Sequence, residues 1–269
     1  MEYDPIKHSL GSVFNTTPFF RKFFYVLLDI LLLRAWHIKK ELRKWNKTAP
    51  SNAHILDAGA GFGQYVQYMS RLNPSFSIVG IDVKQTQVDD CNTFFTSIGK
   101  TKVQYILGDL TQYISNKPAD MILCVDVMEH ILEDTKVFEN FYASLQNQGM
   151  VLISTPSDQG GSDVHGEHDE SFVGEHVRDG YSISDITQKL QSAGFSKVEA
   201  YYSYGTFGKI SWKLSMKYPI LLINFSKLCF LILPIYYSIV MPFCLILNAL
   251  DVNTKNTTGT GLIVKAYKE

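Results

Sequence analysis

The stretch ILDAGAGFGQY at residues 55–65 constrains the fold of this chain more than any other feature. A short apolar run ends in Asp57, and Gly59, Gly61 and Gly63 follow at alternate positions. Glycine has no Cβ and tolerates positive φ, so such a loop turns tightly and lets a ligand approach its backbone. We therefore predict a buried strand that ends in a ligand-binding turn.

Strand-like and helical segments alternate along the rest of the chain. The predicted strands are 53–59, 76–82, 103–109, 119–128, 150–156, 197–204 and 261–268, and the predicted helices between them are 64–72, 88–99, 133–149 and 182–195. Three of these helices are expected to end at a glycine, namely Gly99, Gly149 and Gly194. Strands that are apolar on both faces and alternate with helices are typical of a sheet covered on both sides. The pattern predicts a doubly wound α/β fold with a mostly parallel, seven-stranded sheet.

Acidic residues stand at the ends of the first three predicted strands. In such a sheet, ligands bind beyond the carboxyl ends of the strands. Asp57 is placed to hold a ligand ammonium group, and Asp82 lies where an acid binds ribose hydroxyls. Asp109 lies where an acid accepts a hydrogen bond from an adenine amino group. Together they indicate one crevice for an adenosyl ligand.

At this point the sequence resembles a known family. The segments ILDAGAGFG, VGIDV, GDL and DMILCVDVMEHI resemble the class I S-adenosylmethionine-dependent methyltransferases, in particular the branch with quinone-biosynthesis and other small-molecule enzymes. The resemblance covers about residues 50–205 and the last strand, and it implies S-adenosylmethionine as cofactor. The positions it assigns to the cofactor are Asp57, Gly59, Gly61 and Gly63 for the methionine part, Asp82 and Val83 for the ribose, Asp109 and Leu110 for the adenine, and Val125 and Asp126 beneath the sulfonium.

Two other interpretations of the same residues stay open. One is a membrane-associated protein that binds the cofactor but has lost catalysis, and the acids taken singly also suit caps of strands and helices. A nicotinamide-dependent oxidoreductase is the second alternative, but its fingerprint is G-x-G-x-x-G. Here the third glycine comes one position early, and an acid precedes the first.

Methyl transfer from a sulfonium depends mainly on placing the acceptor in line with the methyl group. A general base is needed when the attacking atom still carries a proton. The loop at 157–182 follows the fifth strand and supplies three candidate bases, His165, His168 and His176. In the resembling family a His-x-Arg after this loop lies near the substrate, so His176 with Arg178 is favoured.

Further candidate bases follow the fourth strand, namely Asp126, Glu129 and His130, of which His130 is the second predicted catalytic residue. The pair His165 and His168 also has metal-ligand character. An HExxH helix is absent, so an acidic solvated loop is the better interpretation, and we predict no metal.

The predicted domain organisation has three parts. Residues 1–50 form an N-terminal amphipathic helical segment, residues 51–205 with 258–269 form the methyltransferase domain, and residues 206–257 form a hydrophobic helical insertion. Residues 18–46 are predicted to be helical, either lying on a surface or packed on the domain as a lid. The formal net charge of −1 gives no basic field that would favour nucleic acid.

The insertion contains an uncharged tract at residues 228–250. If the strands on either side pair in one sheet, both ends of the insertion lie on the same side of a membrane. The chain would then have to cross the membrane twice, which needs ~40 apolar residues, more than the insertion supplies. Pro234 and Pro242 are expected to break a straight helix. The insertion is therefore either a helical hairpin that dips into one leaflet or a cap over the site. In the first case the basic residues expected to face anionic lipid are Lys213, Lys217 and Lys227 beside the tract and Arg21 and Lys22 in the N-terminal segment. We expect a cytoplasmic protein at the membrane surface that methylates an oxygen or carbon of a hydrophobic, lipid-like molecule.

Overall fold

The computed structural model of the chain describes residues 17–160 and 177–269. The strands in these residues are β1 (His54–Ala58), β2 (Ser77–Asp82), β3 (Val103–Leu107), β4 (Ala119–Val125), β5 (Leu145–Pro156), β6 (Lys197–Ser203) and β7 (Gly261–Tyr267). They form one sheet with the order β3-β2-β1-β4-β5-β7-β6. Every neighbouring pair is parallel except those of β7, which is antiparallel to β5 and β6. The predicted fold class is confirmed.

Helices cover the sheet on both faces and extend beyond one end of it. They are α1 (Pro18–Leu31), α2 (Leu33–Trp45), α3 (Gln64–Leu72), α4 (Gln85–Ser97), α5 (Asp134–Ser144), α6 (Ile183–Ser192), α7 (Thr206–Trp212), α8 (Tyr218–Phe225) and α9 (Leu233–Asn253). Short 3₁₀ turns occupy Met128–His130 and Lys227–Leu231, and a π-helical turn occupies Lys213–Lys217.

The core has two apolar layers, one on each face of the sheet. One layer includes Ile38, Val66 and Phe95 from α2, α3 and α4. The other includes Phe138 of α5 and Ile186 of α6. Because both faces are covered, all five residues of β1 are buried, including its single acid at position 57. The carboxyl end of β1 is therefore a buried place for a charged group.

Most predicted boundaries are met within a few residues, with one clear error. α3 spans the predicted residues 64–72, and the Ser182 hydroxyl caps α6 by accepting from the Asp185 N–H at 3.0 Å. The helix expected to continue to Gly149 ends at Ser144, because β5 already begins at residue 145. Gly149 instead lies in an irregular part of β5, where a Cβ would lie 2.8 Å from the Gln146 carbonyl oxygen.

The N-terminal segment is a lid packed on the domain, formed by α1 and α2 with a break at Leu32. Leu32 has an extended backbone, so the predicted single helix is two helices. The buried His37 ring of α2 bonds the buried Asp251 carboxylate at 2.9 Å through Nε2. The lid is therefore joined to the last helix as well as to the sheet.

The insertion between β6 and β7 folds back on itself as a helical hairpin, in which α7 and α8 run one way and α9 returns. The buried Ser211 hydroxyl donates to Asn248 Oδ1 at 2.6 Å across this pair. The Tyr236 hydroxyl donates to the Leu214 carbonyl at 2.6 Å. Proline does not break α9 as expected, because Pro234 lies in its first turn, where the missing N–H costs no bond. Pro242 lies inside the helix, which continues on both sides of it.

The hairpin exposes much apolar surface. Among the described residues α9 is the one helix long and apolar enough to cross a membrane, with a mean hydropathy of 1.8 and 11% of that window buried. Core helices of soluble proteins meet the same length and composition criteria, but they are mostly buried. Both ends of the hairpin lead into β6 and β7, which are paired in one sheet. A single crossing is therefore incompatible with this topology.

Candidate functional site

The glycine loop lies at the carboxyl end of β1 and is held against β2. The N–H groups of Gly59 and Ala60 both donate to the Ile81 carbonyl at 2.9 Å, and the Gly61 N–H donates to Asp82 Oδ2 at 3.1 Å. Gly59 has φ +75°, and a Cβ there would lie 2.3 Å from Val127 Cγ2. The backbone therefore needs glycine at this position, where it comes close to Val127 after β4.

Asp57 lies directly below this loop in a buried position. Its side chain belongs to a residue that is 2% exposed, and its Oδ2 atom has no hydrogen-bond partner among the described residues. Burial, reinforced by the nearby Asp82 carboxylate, raises the pKa of Asp57 to about 8. A buried carboxyl with an unused oxygen is suited to receive a cationic ligand group, which would compensate the cost of burying its charge.

The acids at the ends of β2 and β3 also have local structural roles. Asp82 Oδ1 accepts from the Lys84 N–H at 2.9 Å, and Asp109 Oδ1 accepts from the N–H and hydroxyl of Thr111 at 2.9 and 2.8 Å. A carboxylate offers about four acceptor positions, so these bonds leave capacity for a ligand. Capping and ligand binding are compatible at both positions.

The two predicted neighbours of these acids differ in environment. Val83 is 54% exposed and lies beyond the end of β2. Leu110 is buried in the core, and its carbonyl accepts from Asn140 Nδ2 at 2.9 Å. The Leu110 side chain is therefore part of the core, and its carbonyl already has a partner.

The end of β4 carries the predicted sulfonium-side residues, and it also receives a side chain that the sequence did not indicate. Val125 is the last residue of β4, and Asp126 follows with φ +52°. The Asp126 carboxylate forms an ion pair with Arg34, which comes from α2 of the lid. No spacing signal links position 34 to position 126, so only the tertiary structure brings these charges together.

Two further polar residues follow in the 3₁₀ turn after β4. Glu129 is 1% exposed, and its Oε2 accepts from the Thr155 hydroxyl at 3.2 Å. Burial and then repulsion from Asp126 raise the pKa of Glu129 to about 8. His130, the predicted catalytic residue here, is half-buried next to it. The environment of Glu129 therefore raises its proton affinity.

The other predicted bases, His165, His168 and His176, lie outside the described residues. Arg178, which follows them, anchors the chain on α5. It pairs with Asp134 and donates to the Ile131 carbonyl at 2.6 Å. In the described part of the chain, no group of three or more His, Cys, Asp or Glu side chains is placed to hold a metal ion.

The lid covers the glycine loop through its first helix. Arg21 is 3% exposed, donates to the Phe62 carbonyl at 2.9 Å and pairs with Asp90 at 2.6 Å. The Tyr25 hydroxyl donates to the same carbonyl. The expectation that Arg21 faces anionic lipid is therefore wrong, because its guanidinium group is used to hold the lid on the loop.

The seven-stranded sheet has an antiparallel β7, and a glycine loop and a buried acid lie at the end of β1. This combination is the one that the resemblance to S-adenosylmethionine-dependent methyltransferases implies. The sequence profile of the family described as "Methyltransferase domain" matches residues 30–200. The chain belongs to this methyltransferase family. The predicted membership of a methyltransferase enzyme family, the fold and the cofactor S-adenosylmethionine are confirmed.

Individual relatives match shorter parts of the chain. The ubiquinone biosynthesis O-methyltransferase of Rickettsia felis is 28% identical over 105 residues, which are 39% of this chain and 42% of that protein. A probable (S)-tetrahydroprotoberberine N-methyltransferase 2 of Papaver bracteatum is 34% identical over 77 residues, 29% of this chain and 22% of that protein. The chain thus spans less than half the length of these curated relatives.

Solved structures show the same fold at low sequence identity. A TehB-like SAM-dependent methyltransferase from Corynebacterium glutamicum has a TM-score of 0.52 at 17% identity, covering 85% of this chain and 87% of that one. Phosphoethanolamine N-methyltransferase 2 of Haemonchus contortus, in complex with S-adenosyl-L-methionine, has a TM-score of 0.57 at 18% identity, covering 85% and 52%.

Proposed function

We propose that this protein transfers a methyl group from S-adenosylmethionine to an oxygen or carbon atom of a hydrophobic, lipid-like small molecule. The observation that carries the proposal is the buried Asp57 with its unused Oδ2 below the glycine loop. The matched relative that is named a ubiquinone biosynthesis O-methyltransferase supports oxygen as the acceptor atom. The exposed apolar hairpin supports an acceptor that is taken from a bilayer.

Each part of the cofactor has a proposed partner at the strand ends. The ammonium group binds Asp57 beside the loop Gly59, Gly61 and Gly63, the ribose binds Asp82 with Val83, and the adenine binds Asp109 with the backbone of Leu110. Val125 and Asp126 lie beneath the sulfonium. When bound, the cofactor supplies a methyl group that is already strongly electrophilic. The residues of the chain then have to orient the acceptor and exclude water.

Transfer is tested with S-adenosylmethionine labelled in its methyl group and a lipid extract from the source cells. We expect organic-soluble label with the wild type and about a tenfold or greater loss with Asp57→Asn, because a neutral amide binds an ammonium more weakly. Binding of S-adenosylhomocysteine without any labelled product would instead identify a cofactor-binding protein that has lost catalysis.

The proposed membrane surface consists of apolar side chains on the hairpin and on α1. On the hairpin, the side chains that are more than half exposed are Leu228, Phe230, Leu231, Ile232, Ile235, Ile239, Phe243 and Ile246. Phe19, on α1, is also exposed. Each arm of the hairpin, residues 206–225 on one side and α9 on the other, is roughly 30 Å long, so a bilayer covers its outer part while the sheet stays in water. Lys213 is exposed on the arm of the hairpin nearer the sheet and suits anionic headgroups.

Vesicle flotation tests this surface. The wild type should float with vesicles that contain anionic phospholipid, and the double variant Leu228→Glu with Leu231→Glu should remain in the soluble fraction. Ile114→Glu is the matched control, because Ile114 is 51% exposed on the loop after β3, away from the hairpin. The proposed surface would be contradicted if all three proteins floated to the same extent or if none of them floated.

A further inference from the structure

A cavity of about 330 Å³ lies between the lid and α3. Lys22 and Asp29 line it from α1, Gln64 and Arg71 line it from α3, and Lys39 lines it from α2. Residues seven positions apart share one face of a helix, so α1 and α3 each turn one polar face to this cavity. None of these residues belongs to the predicted cofactor positions, and the cavity is therefore separate from the cofactor site.

The lining of the cavity is positively charged. It holds three cations, Lys22, Lys39 and Arg71, and one acid, Asp29. Asp29 already has its partners, because it pairs with Lys39 and accepts from Gln64 Nε2 at 2.7 Å. Within residues 17–160 and 177–269, neither Lys22 nor Arg71 has an acid at ion-pair distance. Two positive charges are therefore left for a ligand.

A further cation adds to this excess of positive charge. Lys100, which follows α4, donates to the carbonyl of Ser70 at 2.8 Å and so lies close to Arg71. Burial lowers the pKa of Lys100, and the charges of Arg71 and Lys22 lower it further. Like charges that are held near one another repel, and a bound anion relieves that repulsion.

A buried amide without a partner lines the same cavity. Gln67 of α3 is 6% exposed, and its Oε1 atom accepts no hydrogen bond from the part of the chain that the structure describes. A buried acceptor without a donor is costly, and a ligand that donates a hydrogen bond to it removes the cost. The expected ligand therefore combines a negative charge with a hydroxyl group.

We propose that this cavity binds the phosphate group of a phosphate ester that also carries a free hydroxyl. Lys22 and Arg71 bind the phosphate oxygens, and the hydroxyl of the ligand donates to Gln67 Oε1. A guanidinium fork together with a mobile ammonium group suits the several oxygens of a phosphate. The site does not rest on the proposed methyl transfer, because it shares no residue with the cofactor positions.

Such a phosphate ester is either a lipid headgroup or a soluble metabolite, and the surroundings favour the headgroup. Val26 lines the cavity and is 45% exposed. Phe23 and Ile30, one turn away on the same helix, are 48% and 36% exposed. α1 thus presents apolar side chains directly beside a basic cavity, which is how an interfacial helix meets anionic lipid.

Two binding assays with the full chain test the site and distinguish its sources. One is calorimetry with soluble glycerol 3-phosphate, and the other is cosedimentation with phosphatidylcholine vesicles that contain phosphatidylglycerol. The double variant Lys22→Gln with Arg71→Gln should weaken binding about tenfold in at least one assay, because the phosphate loses both cations. The matched control is Lys47→Gln with Lys117→Gln, which removes the same charge at exposed positions before β1 and β4 and should bind as the wild type does.

Gln67 provides a second test that does not depend on charge. The wild type should bind glycerol 3-phosphate about fivefold more tightly than methyl phosphate, or phosphatidylglycerol about fivefold more tightly than phosphatidylmethanol, because only the glycerol compounds carry the hydroxyl. Gln67→Leu should remove this preference without a lower melting temperature, since the Oε1 atom has no partner in the described residues.

The outcomes decide both the site and its source. A tenfold loss in the vesicle assay alone supports a lipid headgroup, and a tenfold loss in calorimetry supports a soluble phosphate ester. The proposal is overturned if the wild type binds neither probe or if the control variant loses as much binding as the cavity variant. It is also overturned if the wild type shows no preference for the hydroxyl compounds or if Gln67→Leu retains that preference.

Discussion

The sharpest prediction concerns the pH dependence of cofactor binding through Asp57. Burial and Asp82 raise the pKa of Asp57 to about 8 in the free protein, so only about a tenth of it is ionised at pH 7. The cofactor ammonium binds the ionised form. Producing that form costs about 1.4 kcal/mol at pH 7 and about 2.7 kcal/mol at pH 6.

The sign of the effect follows from these costs. Below the pKa, each added unit of pH makes the ionised form of Asp57 almost tenfold more abundant. The free amino group of the ligand loses its own proton near pH 7.7–8.0, and this partial loss reduces the expected rise in affinity from pH 6 to pH 7 to about eightfold. Affinity should therefore pass through a maximum near pH 8 and fall again by pH 9.

Isothermal titration calorimetry with S-adenosylhomocysteine measures both parts of this prediction. Titrations in two buffers with different ionisation enthalpies should show a net release of about 0.8 proton per ligand at pH 7. Asp57→Asn should bind more weakly at pH 8, with no proton release and a flat profile between pH 6 and pH 7. Asp109→Asn, a change at the exposed end of β3, should keep the wild-type profile.

A different result would refute the argument. If the wild-type dissociation constant changes less than about twofold between pH 6 and pH 7, and no proton is released, Asp57 is not the ionised partner of the ammonium group.

Three further predictions address the loop, the hairpin and the lid. Gly59→Ala should lose cofactor binding and about 1–3 kcal/mol of stability in calorimetric unfolding, because φ is +75° and a Cβ would collide with Val127. Asn248→Ala should cost about 1 kcal/mol in thermal unfolding, because the buried Ser211 hydroxyl loses its shorter hydrogen bond across the hairpin and keeps only the Cys244 carbonyl at 3.3 Å. Arg21→Gln should make the first helix more sensitive to limited proteolysis while the sheet stays folded, since Arg21 holds that helix on the glycine loop; an unchanged cleavage rate would show that the other lid contacts suffice.

Local chemistry in the sequence accounts for the strands, most helices and the cofactor side of the site. Apolar runs that end in acids, followed by glycine, identified β1 and its loop because the physical requirement is local: a buried strand, a tight turn and a charge at its end. The same reasoning misplaced the end of α5, because a glycine signals a helix end and a strand irregularity equally well. Gly149 serves the second role.

The acceptor side of the site was decided only by tertiary packing. Arg34 belongs to a segment whose composition suited either a surface-lying helix or a lid, and only the fold places its guanidinium beside Asp126. Arg21 likewise looked like a lipid-facing charge and is buried on the glycine loop. Periodicity reports which face of a helix is apolar, but not which distant carboxylate or carbonyl will meet the charges on it. Such pairings depend on how the lid lies across the sheet, and that arrangement is set by contacts between residues far apart in the chain.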